Sequence, residues 1–165
     1  MHPRAEELIR ELRLEQHPEG GRFSEVFRSP RLVRVEDAGG AAGTARSALT
    51  TIYFLLVEGE VSRWHRLDAD ELWHFYEGAP LELFLLDAAG LILTRTRLGP
   101  AASGTALVHV APAGSWLAAR PLGAFALVGC TMGPGFEAVG FALLKDAPDA
   151  AVDVVRRFPE AADLL

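Results

Sequence analysis

Apolar residues first recur at helical spacing. Over residues 4–14, Leu8, Ile9, Leu12 and Leu14 fall between Glu6, Glu7, Arg10, Glu11 and Arg13, which predicts a short amphipathic helix. Pro3 suits its first turn, and HPEGG at 17–21 stops it. From residue 22 to about 144 the period shortens to that of strands. RFSEVFRS (22–29), ARSALTTIYFLLVEG (45–59), LWHFYEG (72–78) and PLELFLLDAAG (80–90) read as strand segments, the second ending in an apolar run rich in β-formers. LILTRTRLG, ALVHVAPAG and SWLAARPLGAFALVGCTMGPG continue the series, each closed by Gly or Pro. Turn signals at such regular spacing predict a β-sandwich or barrel. No helical stretch separates the strands, which argues against a parallel β-α-β arrangement. EDAGGAAGT at 36–44 reads as a mobile loop. The tail at 146–165 returns to helical spacing through Val152, Val155 and Phe158.

Composition narrows the class. The chain has 165 residues, half of them hydrophobic, and 16 Lys and Arg against 22 Asp and Glu give a net charge of −6. We expect one domain over residues 1–165. The acidic balance argues against nucleic acid as a partner, since that needs a clustered basic face. The apolar runs are too short to span a membrane as helices, and residues 1–14 lack the apolar stretch of a signal peptide. The single cysteine, Cys130, excludes an intrachain disulfide and fits a reduced, cytoplasmic setting.

Chemistry enters at Gly59-EVSRW-His65-RLDAD-Glu71-LWHFYE-Gly78. This spacing resembles the first motif of the cupin superfamily, G-x5-H-x-H-x3-E-x6-G, with Leu67 in place of the second His. Pro112-Ala-Gly114-Ser-Trp-Leu117 resembles the turn of the second motif, P-x-G-x2-H, with Leu117 in place of its His. HPEGG at 17–21, TIYFLL at 51–56, DELWHFYEG at 70–78, PAGSW at 112–116 and VGCTMGPGFE at 128–137 follow in one order. Together they are similar to a family of small, functionally uncharacterised cupins. The resemblance implies a mainly β fold: a double-stranded β-helix, or jelly-roll, barrel with short terminal helices. It also implies a homodimer and a pocket inside the barrel. Kinship with sugar-nucleotide epimerases operates at the level of the fold.

His65 and Glu71 are the candidate catalytic pair, a polar couple in an apolar cavity able to exchange protons near neutral pH; the alternative is a hydrogen-bonded relic of a metal site. No cofactor is expected. A divalent metal, with His65 and Glu71 as its ligands, is allowed but disfavoured, because Leu67 and Leu117 leave too few donors. His109 is a conceivable third donor, more naturally a polar residue on a strand face. His74 lies one residue out of phase with Glu71 and Trp73, so strand alternation turns it away from the pocket. Arg28, followed by Ser29, is a candidate anion anchor through its planar fork, with a surface ion pair as its alternative. Tyr53, Trp73, Phe75 and Trp116 are candidates for a stacking wall, or else core rings. Cys130, flanked by apolar residues, is expected to line the pocket as an inert thiol.

Three functions remain open from the sequence. One is a cupin binding a small polar or planar molecule, sugar-like or nucleotide-like, with isomerase- or epimerase-type proton transfer. The second is a metal-dependent, dioxygenase-like enzyme. The third is a non-enzymatic small-molecule-binding protein.

Overall fold

Two antiparallel sheets face each other, and each terminal segment covers the outer face of one of them. The structure is a computed structural model that describes residues 1–36 and 42–165. Residues 37–41, the middle of the loop expected at 36–44, lie outside the described residues.

Helix α1 spans Pro3–Glu11, with Pro3 in its first turn and His2 Nδ1 accepting the Arg4 N–H at 3.2 Å. It ends earlier than the periodicity predicts, because Leu12 caps it and Arg13 takes a left-handed φ of 54° that reverses the chain. The chain then enters β1 (Glu15–Gln16) and β2 (Arg22–Arg28). Strands β3 (Leu32–Glu36) and β4 (Ala42–Ser47) form a separate hairpin. Next come β5 (Thr50–Val57), β6 (Ser62–Leu67), β7 (Asp70–Gly78), β8 (Leu81–Leu86) and β9 (Leu93–Leu98). Last are β10 (Val108–Ala111), β11 (Trp116–Pro121), β12 (Phe125–Gly133) and β13 (Phe141–Leu143). The tail forms α2 (Pro148–Arg157) and a 3-10 turn over Pro159–Leu164.

One sheet has the order β1-β2-β5-β12-β7-β10, the other β13-β6-β11-β8-β9. All their strand pairs are antiparallel. The architecture is the expected jelly roll, with non-sequential strands brought side by side.

Alternation sorts the apolar side chains into an interior and two outer layers. Phe54, Leu56, Trp73, Leu83, Leu117 and Val128 meet between the sheets. Leu55, Val57, Phe125 and Leu127 point the other way and bury Ala5 and Leu8 of α1. Trp64, Phe84, Leu86 and Trp116 point outward from the second sheet, beneath Leu144, Val154 and Leu164. Trp64 Nε1–H donates to the Ala161 carbonyl at 3.1 Å and anchors that tail. Strands covered on both faces need apolar residues at successive positions, which explains the runs LFLL (83–86) and FALVGC (125–130). Among the described residues, no helix is long and apolar enough to cross a membrane.

Candidate functional site

His65 is an inward-facing residue of β6, 2% exposed in its side chain. Its Nδ1–H donates to the Arg63 carbonyl at 2.8 Å, which leaves Nε2 directed toward Glu71 Oε2 at 4.0 Å. Glu71 projects from the neighbouring sheet on β7. Trp73, two residues along the same face, donates its indole N–H to Glu71 Oε2 at 2.7 Å. A second carboxylate, Glu19, reaches His65 Nδ1 at 3.4 Å and accepts the Ser62 hydroxyl proton at 2.7 Å.

Glu19 arrives through the HPEGG turn. Gly20 and Gly21 have φ of 109° and 68°, and a Cβ on Gly20 would collide with the Val61 carbonyl. Only glycine accommodates both the left-handed backbone and the close approach to the strand. The same turn brings in His17, whose ring meets Phe23 and Phe54 edge-on at 4.6 and 5.7 Å.

His17, Glu19 and Glu71 border a cavity of about 310 Å³. Phe23, Phe54, Phe136 and Phe141 form its aromatic wall, with Ile52, Leu67 and Met132 as aliphatic neighbours. His17, Glu19, Glu25, Thr50 and Glu71 supply its polar groups, and Cys130 lines it as the sequence suggests. His65 stands behind, stacked on Phe141 at 5.9 Å.

The charges are strongly coupled. Burial disfavours a charged imidazole at His65, but Glu19, Glu71 and the Arg63 carbonyl outweigh it and lift the pKa to about 9. Burial also lifts Glu19, which the His65 charge and the Ser62 hydroxyl pull down and Glu71 pushes up, leaving it at about 7. Burial, helped by the His65 charge, lowers His17 to about 4. Burial pushes the Cys130 thiol up, reinforced by Glu71 and Glu19, so it is an inert wall residue. The raised pKa favours the imidazolium form of His65 at neutral pH, beside Glu71 and a Glu19 held near 7.

The positions that correspond to metal ligands in the cupin motifs do converge. His65, Leu67, Glu71 and Leu117 line one small void beside the main cavity. Two of the four side chains have no donor atom. Among the described residues, no trio of His, Cys, Asp or Glu is arranged to hold a metal ion. The donor set does not fit a transition metal, which needs more than one imidazole and one carboxylate. His109 faces inward beside Trp73 on β10, outside the cavity lining, with its Nε2 buried and unpartnered among the described residues.

The other expected residues are dispersed. Arg28 lies outside the cavity lining, where it pairs with Glu25 at 2.8 Å and donates to the Phe136 carbonyl at 3.1 Å. Ser29 is buried, and its hydroxyl accepts the Arg31 N–H at 3.2 Å. Tyr53 packs edge-on against Tyr76 under α1, on the outer face of its sheet. Trp116 also faces outward, with the Arg66 guanidinium 4.8 Å from its ring centre. Phe75 packs against the interior core. Of the four proposed stacking rings, none lines the cavity. Trp73 instead serves the site by holding Glu71. His74 lies on the opposite face of β7, paired across to Gly129 and Val108.

His17 and Glu19 are the functional candidates that the sequence reading missed. Their signal was present in HPEGG, where a glutamate is set between proline and two glycines. Turn residues are normally solvated, and nothing local marks this one as buried.

Comparison with known proteins agrees with the geometry. The sequence model described as Cupin superfamily (DUF985) matches residues 6–144. A hypothetical protein from Leishmania major is 29% identical, covering 97% of this chain and 95% of that one, with a TM-score of 0.79. A protein from Shewanella oneidensis is 32% identical over 97% of this chain and 93% of that one, with a TM-score of 0.78. Oxalate decarboxylase from Bacillus subtilis shares the fold alone, at 15% identity, over 91% of this chain and 36% of that one, with a TM-score of 0.57. No curated protein matches. The fold, the motif positions around His65 and Glu71, and the matched span agree: this chain belongs to the DUF985 family of the cupin superfamily.

Proposed function

We propose that this cupin binds a small, planar, largely apolar molecule in the cavity and exchanges a proton with it in an isomerase-type reaction. One observation carries the reading: His65, behind the wall of an aromatic-sided cavity, lies 3.4 Å from Glu19 and 4.0 Å from Glu71, two buried acidic side chains that line it. Buried titratable groups with opposed environments are the usual means of acid–base work at neutral pH. In this scheme Glu71, which lines the cavity, takes a proton from one atom of the ligand and returns it to another, and His65, behind the wall, supplies the balancing positive charge. Glu19, poised at about 7, buffers that charge. A free sugar suits the cavity poorly, because its hydroxyls would lie unpaired against phenylalanine and leucine.

The experiment is solvent exchange. The protein is incubated with a metabolite extract in D2O, and bound compounds are identified by mass spectrometry. Deuterium incorporated at a carbon by the wild type, and lost in His65→Asn, supports proton transfer. A tightly bound compound that never exchanges would leave a binding protein and remove the enzymatic reading.

The proposal includes a homodimer formed through the free edge of β10. Leu107, Val108 and Val110 stand about half exposed at that edge, and pairing removes unpartnered strand groups from water. Light scattering that reports a monomer at micromolar concentration would overturn it.

A further inference from the structure

The charge on the cavity wall has one sign. Glu19, Glu25 and Glu71 line it, and no Lys or Arg does. Arg28 reaches Glu25 from outside the lining, so it offsets that carboxylate without presenting a cation to a ligand. His17 is the remaining titratable side chain of the turn, and Glu19 N–H donates to its Nδ1 at 3.4 Å, which places the ring proton on Nε2. His65 is 2% exposed and already faces Glu19 and Glu71.

Glu71 is the open acceptor of this arrangement. Its side chain is 9% exposed, its Oε2 takes the Trp73 indole proton, and its Oε1 has no hydrogen-bond partner among the described residues. Oε1 belongs to a carboxyl group whose side chain is nine-tenths buried at the wall of a cavity, and it has room for a donor that a ligand can bring. Around it stand Phe23, Phe54, Phe136 and Phe141. Aromatic rings attract cations and repel anions through their quadrupoles.

The geometry points to a small organic cation as the ligand: a protonated amine or amidine-like nitrogen on a compact apolar body, its N–H donated to Glu71 Oε1. This rests on the binding reading proposed above and specifies its ligand class. A cation complements a lining whose ionisable groups, His17 apart, are acidic. An anionic ligand would meet Glu71 with no lining Lys or Arg to receive it.

The test uses three probes of one shape: benzylammonium, benzyl alcohol and benzoate. Each is titrated into the full-length protein and followed by calorimetry and amide chemical shifts. Benzylammonium is expected to bind about ten-fold or more tightly than benzyl alcohol, as a charge-assisted hydrogen bond requires, with benzoate weakest. Shifts should centre on Glu71, Cys130 and the HPEGG turn. Glu71→Gln should narrow the gap between benzylammonium and benzyl alcohol. The rank order in the unaltered protein stands as a test if that variant fails to fold. Benzoate or benzyl alcohol binding as tightly as benzylammonium would overturn the cation while leaving the cavity as a ligand site. No saturable binding by any probe would overturn both readings.

Discussion

Trp73 Nε1 and Glu71 Oε2 are 2.7 Å apart on one face of β7, so a core ring holds the carboxylate of the site. Replacing Trp73 with Phe keeps most of the apolar volume and removes the donor. The expected cost is about 1–3 kcal/mol of unfolding free energy, read by urea denaturation. Glu71→Gln in the same background should be non-additive, because the two side chains act as one pair. Additive losses would show that the indole only fills space.

His65 should be missed less as pH rises. Its folded pKa, about 9, exceeds the unfolded value of 6.5, so protonated His65 favours the fold. That contribution is whole below about pH 6.5 and disappears as pH climbs through 9. His65→Gln should therefore destabilise by about 3–5 kcal/mol at neutral pH, as removal of one member of a buried ion pair does. The deficit should shrink above pH 9. A two-dimensional NMR titration of the imidazole measures the pKa directly, and Glu19→Gln should lower it.

The acid limb belongs to His17. Burial places its folded pKa at about 4, below the unfolded 6.5, so its neutral form favours the fold. Stability is full above pH 6.5 and falls as pH drops toward 4. Denaturant midpoints between those limits should flatten in His17→Phe. A fall of equal steepness in that variant would assign the acid limb to other groups.

Gly20 should not tolerate a side chain. Alanine there would need a φ of 109° and would drive its Cβ into the Val61 carbonyl. We expect Gly20→Ala to cost about 2 kcal/mol or more, from strain at a left-handed position. Because the same turn carries Glu19, the His65 pKa should fall with it. Loss of stability without that fall would separate the turn from the site.

Arg28→Ala should be nearly silent. The Arg28–Glu25 pair is 38% and 42% exposed in its side chains, and such pairs contribute about 0–1 kcal/mol. Thermal melts of the variant and the wild type should overlap within a few degrees.

How much of this was legible depends on where each residue's information lies. His65 and Glu71 sit at fixed spacing on consecutive strands, one in each sheet, so a linear motif locates them. Leu67 and Leu117 likewise mark, in sequence, where donors are replaced. Glu19 and His17 reach the site from a turn more than 40 residues before His65, and only the assembled fold reveals their burial. Tyr53 and Trp116 fail for another reason. Alternation says that neighbouring residues face opposite ways, but not which way is inside. In strands buried on both faces, hydrophobicity does not break that tie. The helix over 4–14 was recognisable in kind, and its end was not, because the left-handed turn at Arg13 carries no glycine to announce it.

The place of β12 has a consequence for how the site comes into being. It lies between β5 and β7, so residues near 130 must join residues near 52 and 73 before either strand gains its inner neighbour. Such distant pairings close large loops before any contact rewards them, and they place folding in the millisecond-to-second regime. The cavity wall contains Cys130 and Met132 from this strand. The chemistry therefore has no local precursor: the pocket assembles in the same slow step as the barrel, and any occupant it gains acts on the whole fold.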